Sequence, residues 1–308
     1  MNEPTPFPIL LIDVPPAERS DEQLGSKPKF WFTGRDKREW LFKRGRENED
    51  WSEKVAEVLA GHLGLPHAEV ELAICENKHG IASPSFLESG DGLVHGNELL
   101  VKLDTSYPIE GRFHISEHTA EAVSTALERS HVKTWSHCPH ELPASFDGWD
   151  LFLGYLLFDA WIGNNDRHHE NWAVVQRGEQ RLLSPTYDHG SSMGRNEPEA
   201  RAKSRLDGKD PRVTVESYAA KCRSALFNPA SPEKAMATTD AFFHASQRRT
   251  LARDYWLDRL RATTEEFVRV ALQRIPDERI TATHRRFARA LLMHNRGRLL
   301  AAQAGSNP

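Results

Sequence analysis

The chain has 308 residues, a formal net charge of −4 and 39% hydrophobic residues, long enough for two lobes. A pI near 6.4 speaks against general nucleic-acid affinity, which rests on a basic surface. Three cysteines, Cys75, Cys138 and Cys222, are too few and too scattered for a disulfide framework or a Cys-based zinc site, and fit a reducing cytosol.

No apolar run reaches bilayer-spanning length. Even residues 151–162 are too short, and Asp159 interrupts them. The opening MNEPTPFPILLIDVPP, with an early acid and prolines at both ends, makes a poor signal peptide. The expectation is a cytoplasmic protein with no membrane and no direct nucleic-acid partner.

Residues 7–14 read as a first strand and 15–23 as a polar linker. A small glycine turn, Leu24-Gly25-Ser26-Lys27-Pro28-Lys29, then feeds a strand ending at Phe32. Residues 39–43 return, so 24–43 form a hairpin with Lys43 near its end. Asp50 and Glu53 have the spacing of a capping box. Trp51, Val55, Leu59 and Leu63 recur every four residues, so a helix is expected there, stopped by Gly64. Residues 68–75, 80–87 and 98–103 read as strands, and 104–108 as a linker.

Beyond the linker the pattern becomes helical. Helices are expected over 116–128 and 146–162, on either side of a loop rich in His and Pro. A charged, mobile segment is expected from Gly194 to about Pro211. Helices follow over 215–226, 231–246 (Ser231 as N-cap, Pro232 at the first position), 250–262, 264–274 and 283–302. The order is mostly β and then mostly α, which predicts an α+β fold.

The densest chemistry lies in residues 149–194. An apolar helix ends at Gly163, and Asn164-Asn165-Asp166-Arg167-His168-His169-Glu170-Asn171 follows at once. Two short strands, 172–175 and 182–187, then lead to Asp188-His189-Gly190. Folding that hairpin about Gly178 and Glu179 sets Asn171 opposite Asp188, with Asp166 on the loop before. Three oxygen-bearing side chains in one place suit Mg²⁺ with a phosphate, because Mg²⁺ prefers hard oxygen ligands.

Each part alone has a plainer reading. A strand lysine such as Lys43 is ordinarily solvated, Glu53 can be a capping acid, and one glycine does not make a phosphate cradle. His168 and His169 could be loop histidines or zinc ligands. The running order is more telling: glycine turn, strand lysine, helix glutamate, interlobe strand, Asp-x₄-Asn loop, and a hairpin returning Asp-x-Gly. That is the order of a protein-kinase-type site, where Lys holds the α/β-phosphates, Glu holds Lys, Asp accepts the hydroxyl proton, and Asn and Asp hold Mg²⁺.

The loop Asn164-Asn165-Asp166-Arg167-His168-His169-Glu170-Asn171 resembles the N-x-D-x-H-x-x-N catalytic loop of the HipA-like serine/threonine kinases, bacterial toxins with a kinase-like fold. Its Asp-Arg-His-x-x-Asn wording is also similar to the phosphoinositide kinases. The resemblance implies a bilobal fold, with a β-rich N-lobe over residues 1–104 and a helical C-lobe over 105–308. It implies Asp166 and His168 as catalytic residues, and Asn171 and Asp188 as ligands of Mg²⁺. ATP would be held by Lys43, Glu53 and the turn Gly25, Ser26 and Lys27. Glu98–Asp104 resembles the segment that meets adenine through its backbone, so Leu100, Val101 and Lys102 are expected there. Ser26 is the implied autophosphorylation site, with Ser83 and Ser85 as competitors.

The resemblance implies a protein substrate, with aminoacyl-tRNA synthetases as one target class. The longer toxins carry a further subdomain before the phosphate loop, where this chain has 23 residues. Some compact members pair with a separately encoded subdomain and a DNA-binding antitoxin, so such partners are an expectation. Three rival readings remain at this level: a phosphoinositide or small-molecule kinase, a nucleotide-binding pseudokinase acting by docking, and a metal-dependent hydrolase using Asp166, His168, His169, Asp188 and His189.

Overall fold

The computed structural model describes residues 4–21, 28–46, 48–111 and 113–304. The glycine turn with Gly25, Ser26 and Lys27 lies outside these residues. The fold is α+β, with a β-rich N-terminal region followed by a mainly helical one.

The first sheet has six strands: β1 (Ile9–Ile12), β2 (Ser20–Asp21), β3 (Lys29–Thr33), β4 (Glu39–Arg44), β5 (Glu71–Cys75) and β6 (Lys78–Pro84), in the order β1-β5-β6-β4-β3-β2. The expected hairpin exists, with Phe30 opposite Phe42 and Lys29 opposite Lys43. Helix α1 (Glu49–Leu63) presents Trp51, Val55, Leu59 and Leu63, all fully buried, and stops at Gly64 with φ 84°. The expected capping box is absent. The helix starts from Asn48 in a left-handed conformation, φ 63°, with no side-chain cap. Asp50 lies inside the first turn, paired with Arg279, and Glu53 accepts the His189 N–H. Tertiary partners outcompete a local cap for both carboxylates.

After β6 comes β7 (Gly92–His95) and then α2 (Gly96–Leu103). Residues 98–103, expected as a strand, are therefore helical. A Cβ on Gly96 would lie 2.2 Å from a Trp172 ring carbon, so only glycine lets the chain turn there. The helix then buries Leu99 and Leu100 together. Strand β7 pairs with β8 (Ala173–Arg177), which pairs with β9 (Gln180–Leu183). α3 (Ala120–Arg129) and α4 (Gly148–Ile162) precede that hairpin. All fifteen residues of α4 are buried. Asp147 and Asp150 close a capping box at its start, and Gly163 ends it at φ 66°.

The rest comprises α5 (Glu199–Asp207), α6 (Val215–Ala219), β10 (Arg223–Asn228), β11 (Ser231–Ala237), α7 (Thr238–Ala245), α8 (Thr250–Arg261), α9 (Glu265–Gln273) and α10 (Ala282–Ala304). Two expectations fail here. The charged segment after Gly194 contains α5, held by buried Arg205 on Glu197 at 2.6 Å and on the Thr214 carbonyl at 3.1 Å. Residues 223–237, expected as parts of two helices, form an antiparallel hairpin. Asn228 accepts the Ala230 N–H at 2.9 Å, an Asx turn. Ser231-Pro232 consequently opens a strand rather than a helix.

Helix α1 is tied to the C-terminal helices. Arg259 donates to the carbonyls of Leu63 and His62 at 3.0 and 3.1 Å. Arg279 pairs with Asp50 and donates to Ala73 O, and Phe7 N–H reaches Arg274 O at 2.7 Å. Among the described residues no helix is long and apolar enough to cross a membrane.

Candidate active site

The site grows from the end of α4. Asp159 is the one carboxylate in the last two turns of that apolar helix, and it is 2% exposed. A buried carboxylate needs a partner. Arg167 supplies it bidentately, with Nε and Nη2 each 2.8 Å from Asp159. Arg167 also donates to Asn171 O at 2.7 Å and meets His189 Nε2 at 3.2 Å. Asn164 bonds Asp159 at 2.8 Å and accepts the Asp166 N–H at 3.1 Å. Asn171 donates to Asp166 O at 2.6 Å. The octapeptide 164–171 is thus wound around one buried ion pair, which turns Asp166 to the outside.

His168 Nδ1 accepts the Glu170 N–H at 3.2 Å. That places the ring proton on Nε2, which stands 3.7 Å from Asp166 Oδ1. Ser191 approaches the other Asp166 oxygen at 3.4 Å. His169 faces elsewhere, to Tyr107 OH at 2.9 Å and Gly111 O at 2.8 Å.

The β8–β9 hairpin turns at Gly178 and Glu179 as expected, with Arg177 opposite Gln180. That register carries Thr186, not Asp188, to the place across from Asn171. Asp188 lies two residues further on, in a left-handed conformation with φ 59°, which is costly for a residue bearing a Cβ and often marks a functional position. Gly190 follows because helix α1 passes there. A Cβ would lie 2.7 Å from Glu49 Cγ and 3.2 Å from a Glu53 oxygen.

Lys43 Nζ stands 3.5 Å from Asp188 Oδ1. Burial alone would lower the Lys43 pKa, but the carboxylates of Asp188, Glu53 and Glu49 outweigh it and hold the ammonium above its ordinary range. Burial, then the charge of Asp188, push Glu53 up to about 7 against the opposing pull of Lys43. Lys43, Asp188 and Glu53 therefore share a partly buried corner beside Glu49, and the raised Glu53 carboxyl marks carboxylate crowding that a cation would relieve.

A cleft of about 680 Å³ gathers Lys43, Glu53, Asp166, His168, Asn171 and Asp188 in its lining, with Ser83 and Ser85 on its wall. Leu100, Val101 and Lys102 are not in that lining. Leu100 is buried in the core, and Lys102 is exposed on α2. Ser85, Phe86, Leu87 and Leu93 are in the lining. Ser83 donates to Glu69 O at 2.5 Å, and Ser85 accepts the Leu87 N–H at 3.1 Å.

The sequence reading missed Glu49 and Arg195, 3.5 Å apart on the cleft wall, and the Asp159–Arg167 pair beneath the loop. The last had a signal: a carboxylate in the middle of an otherwise apolar run, residues 151–162. No cluster of three His, Cys, Asp or Glu is placed to hold a metal among the described residues.

No protein-family profile matches the chain, and no curated protein does. Solved structures do. CtkA, a proinflammatory kinase of Helicobacter pylori, superposes with a TM-score of 0.70 at 18% identity, over 90% of this chain and 94% of its own. HipA of Shewanella oneidensis MR-1, solved with HipB and operator DNA, gives 0.49 at 15% identity over 91% and 63%. The Golgi casein kinase gives 0.42 at 10% identity over 99% and 75%. The superposition on CtkA along nearly the whole of both chains shows that this chain shares the fold of that kinase.

Proposed function

We propose that the chain is an ATP- and Mg²⁺-dependent protein kinase that transfers phosphate to Ser or Thr hydroxyls. The observation that carries this reading is one cleft lined by Lys43, Glu53, Asp166, Asn171 and Asp188, with Lys43 drawn onto Asp188. Asp166 orients the acceptor hydroxyl and takes its proton. His168 holds Asp166 through its Nε2 proton. Lys43 binds the α/β-phosphates and is steadied by Glu53. Asn171 and Asp188 offer the hard oxygens that Mg²⁺ requires, and the ion would neutralise charge on the phosphates. The remaining work is positioning and charge stabilisation.

Two details of the sequence reading change within this proposal. Adenine contact moves from Leu100–Lys102 to the backbone near Ser85 and Leu87. The two-lobe division moves to about residues 85–91, because β7 pairs with β8 of the catalytic hairpin. The glycine turn with Ser26 remains the proposed phosphate loop and self-modification site, with Ser83 and Ser85 as cleft-wall alternatives. An aminoacyl-tRNA synthetase target and an antitoxin or separate subdomain as partner rest on the sequence resemblance, and a cytoplasmic location rests on the few scattered cysteines.

The hydrolase reading loses its ligands, because His169 is engaged by Tyr107 and Gly111, and His189 by Arg167 and Thr186. The test uses purified wild type and Asp166→Asn with γ-labelled ATP and Mg²⁺. Wild type labels serine or threonine on itself or on lysate proteins, and the variant does not. Equal labelling sinks the catalytic assignment, nucleotide binding without transfer supports the pseudokinase, and transfer to lipids alone supports the rival kinase.

A further inference from the structure

A single exposed phenylalanine is ordinary on a protein surface. Phe113 is not single. Among the described residues six large hydrophobic side chains are exposed, and three of them, Leu103, Ile109 and Phe113, fall within eleven residues beside the catalytic loop. Phe113 is the most exposed of the three, at 63%. It nevertheless lines the cleft and meets the His168 ring edge-on, with centroids 5.7 Å apart at 77°.

The segment that carries it is built into the site. Tyr107 is buried, and its hydroxyl donates to His169 Nδ1 at 2.9 Å, while His169 Nε2–H donates to Gly111 O at 2.8 Å. Asn97 adds a bond to Ile109 O at 3.4 Å, and its own N–H binds His169 O. The second histidine of the catalytic loop thus clamps the strap 107–111 from two sides. The strap in turn delivers an apolar ring to the face of the histidine that orients Asp166. An exposed aromatic held so close to the acceptor position has a use only when a substrate covers it.

We propose that Phe113 is a specificity-determining residue: it receives an apolar side chain of a peptide substrate, one or two residues from the acceptor hydroxyl. The spacing follows from the 5.7 Å between Phe113 and His168 and the roughly 3.3–3.6 Å that an extended peptide covers per residue. Tyr107 and His169 are positioning residues for this contact. The inference rests on the kinase reading and assigns it a substrate class, peptides with an apolar flank, rather than a lipid or a sugar.

The experiment compares peptide libraries that vary one position at a time around a fixed serine or threonine, with wild type, Phe113→Ala, Phe113→Leu and Tyr107→Phe. The readout is the ratio of kcat/KM for an apolar against a glycine flank within each enzyme, which a change in folding or in overall rate leaves untouched. Wild type prefers the apolar flank at one position by roughly 10-fold or more, the scale of a hydrophobic pocket contact. Phe113→Ala loses that ratio, Phe113→Leu retains much of it, and Tyr107→Phe lowers it. A wild type that transfers phosphate without apolar preference, or a Phe113→Ala enzyme that keeps the preference, overturns the assignment and leaves the kinase reading intact. No transfer to any peptide or protein by wild type overturns both.

Discussion

Two acid–base pairs bear on the candidate site, and they are built differently. Asp159 and Arg167 are both almost fully buried, and Arg167 spends its donors on Asp159, Asn171 O and His189. Lys43 and Asp188 are partly exposed and 3.5 Å apart, and burial and Asp188 raise the neighbouring Glu53 carboxyl to about 7 against the pull of Lys43. The first pair is saturated and serves as scaffold. The second carries unbalanced charge facing a cleft, which is where chemistry is to be expected.

The sharpest way to test this contrast is to separate activity from stability. Asp166→Asn should lower phosphotransfer by about 10²–10⁴-fold, the scale of a lost general base, with an unchanged melting temperature. Asp188→Asn should abolish the stabilisation of the protein by Mg²⁺ and nucleotide in thermal melts. Without ligand it should melt no lower than wild type, because it relieves the repulsion on Glu53. Arg167→Ala should do the reverse, costing about 3–5 kcal/mol in denaturant unfolding, the penalty for leaving one buried charge unpaired. If Asp188→Asn unfolds the protein and Arg167→Ala does not, the two pairs have been assigned the wrong way round.

Smaller effects sharpen the scaffold side. Gly96→Ala should cost about 1–3 kcal/mol, since the added methyl overlaps the Trp172 ring and overpacking carries that penalty. The smallest effect concerns pH. Burial pushes the His118 pKa down to about 3 from 6.5, so the folded protein keeps it neutral, accepting the Trp172 indole N–H at 3.2 Å. The unfolded chain takes up a proton near pH 6.5. Stability is therefore full above that value and falls as pH drops below it, by on the order of 1 kcal/mol over the first pH unit. His118→Gln should flatten that slope in denaturant titrations.

What was legible in the sequence was whatever local chemistry decides. The face of Trp51, Val55, Leu59 and Leu63, the stops at Gly64 and Gly163, and the hairpin around Gly178 all follow from period and turn residues. The loop 164–171 stood out because its residue types follow the order of the kinase-type loop that it resembles. Residues 98–103 failed because a short apolar run fits strand or helix equally, and the deciding contact, Gly96 beneath Trp172, lies far along the chain. Ser231-Pro232 was a sound helix-start signal, overridden by the Asn228 turn. Helix α5 carries little apolar surface and is fixed by Arg205 on Glu197 and Thr214, partners that no local pattern displays. Asp188 and Asn171, singled out by type, both line the cleft, while their offset in register came only with the backbone.

The ties between α1 and the C-terminal helices bear on when the protein becomes competent during its synthesis. Helix α1 carries Glu53, yet it is anchored by Arg259 and Arg279, through contacts that span 196 to 229 positions of the chain. Contacts that close so long a loop form late, after the entropy of closure has been met. A nascent chain that has not yet released Arg279 holds Lys43, Asp166 and Asp188 but has no clamp on the helix that aligns them. Glu53 is therefore expected to be fixed in place only after Arg259 and Arg279 have joined the fold.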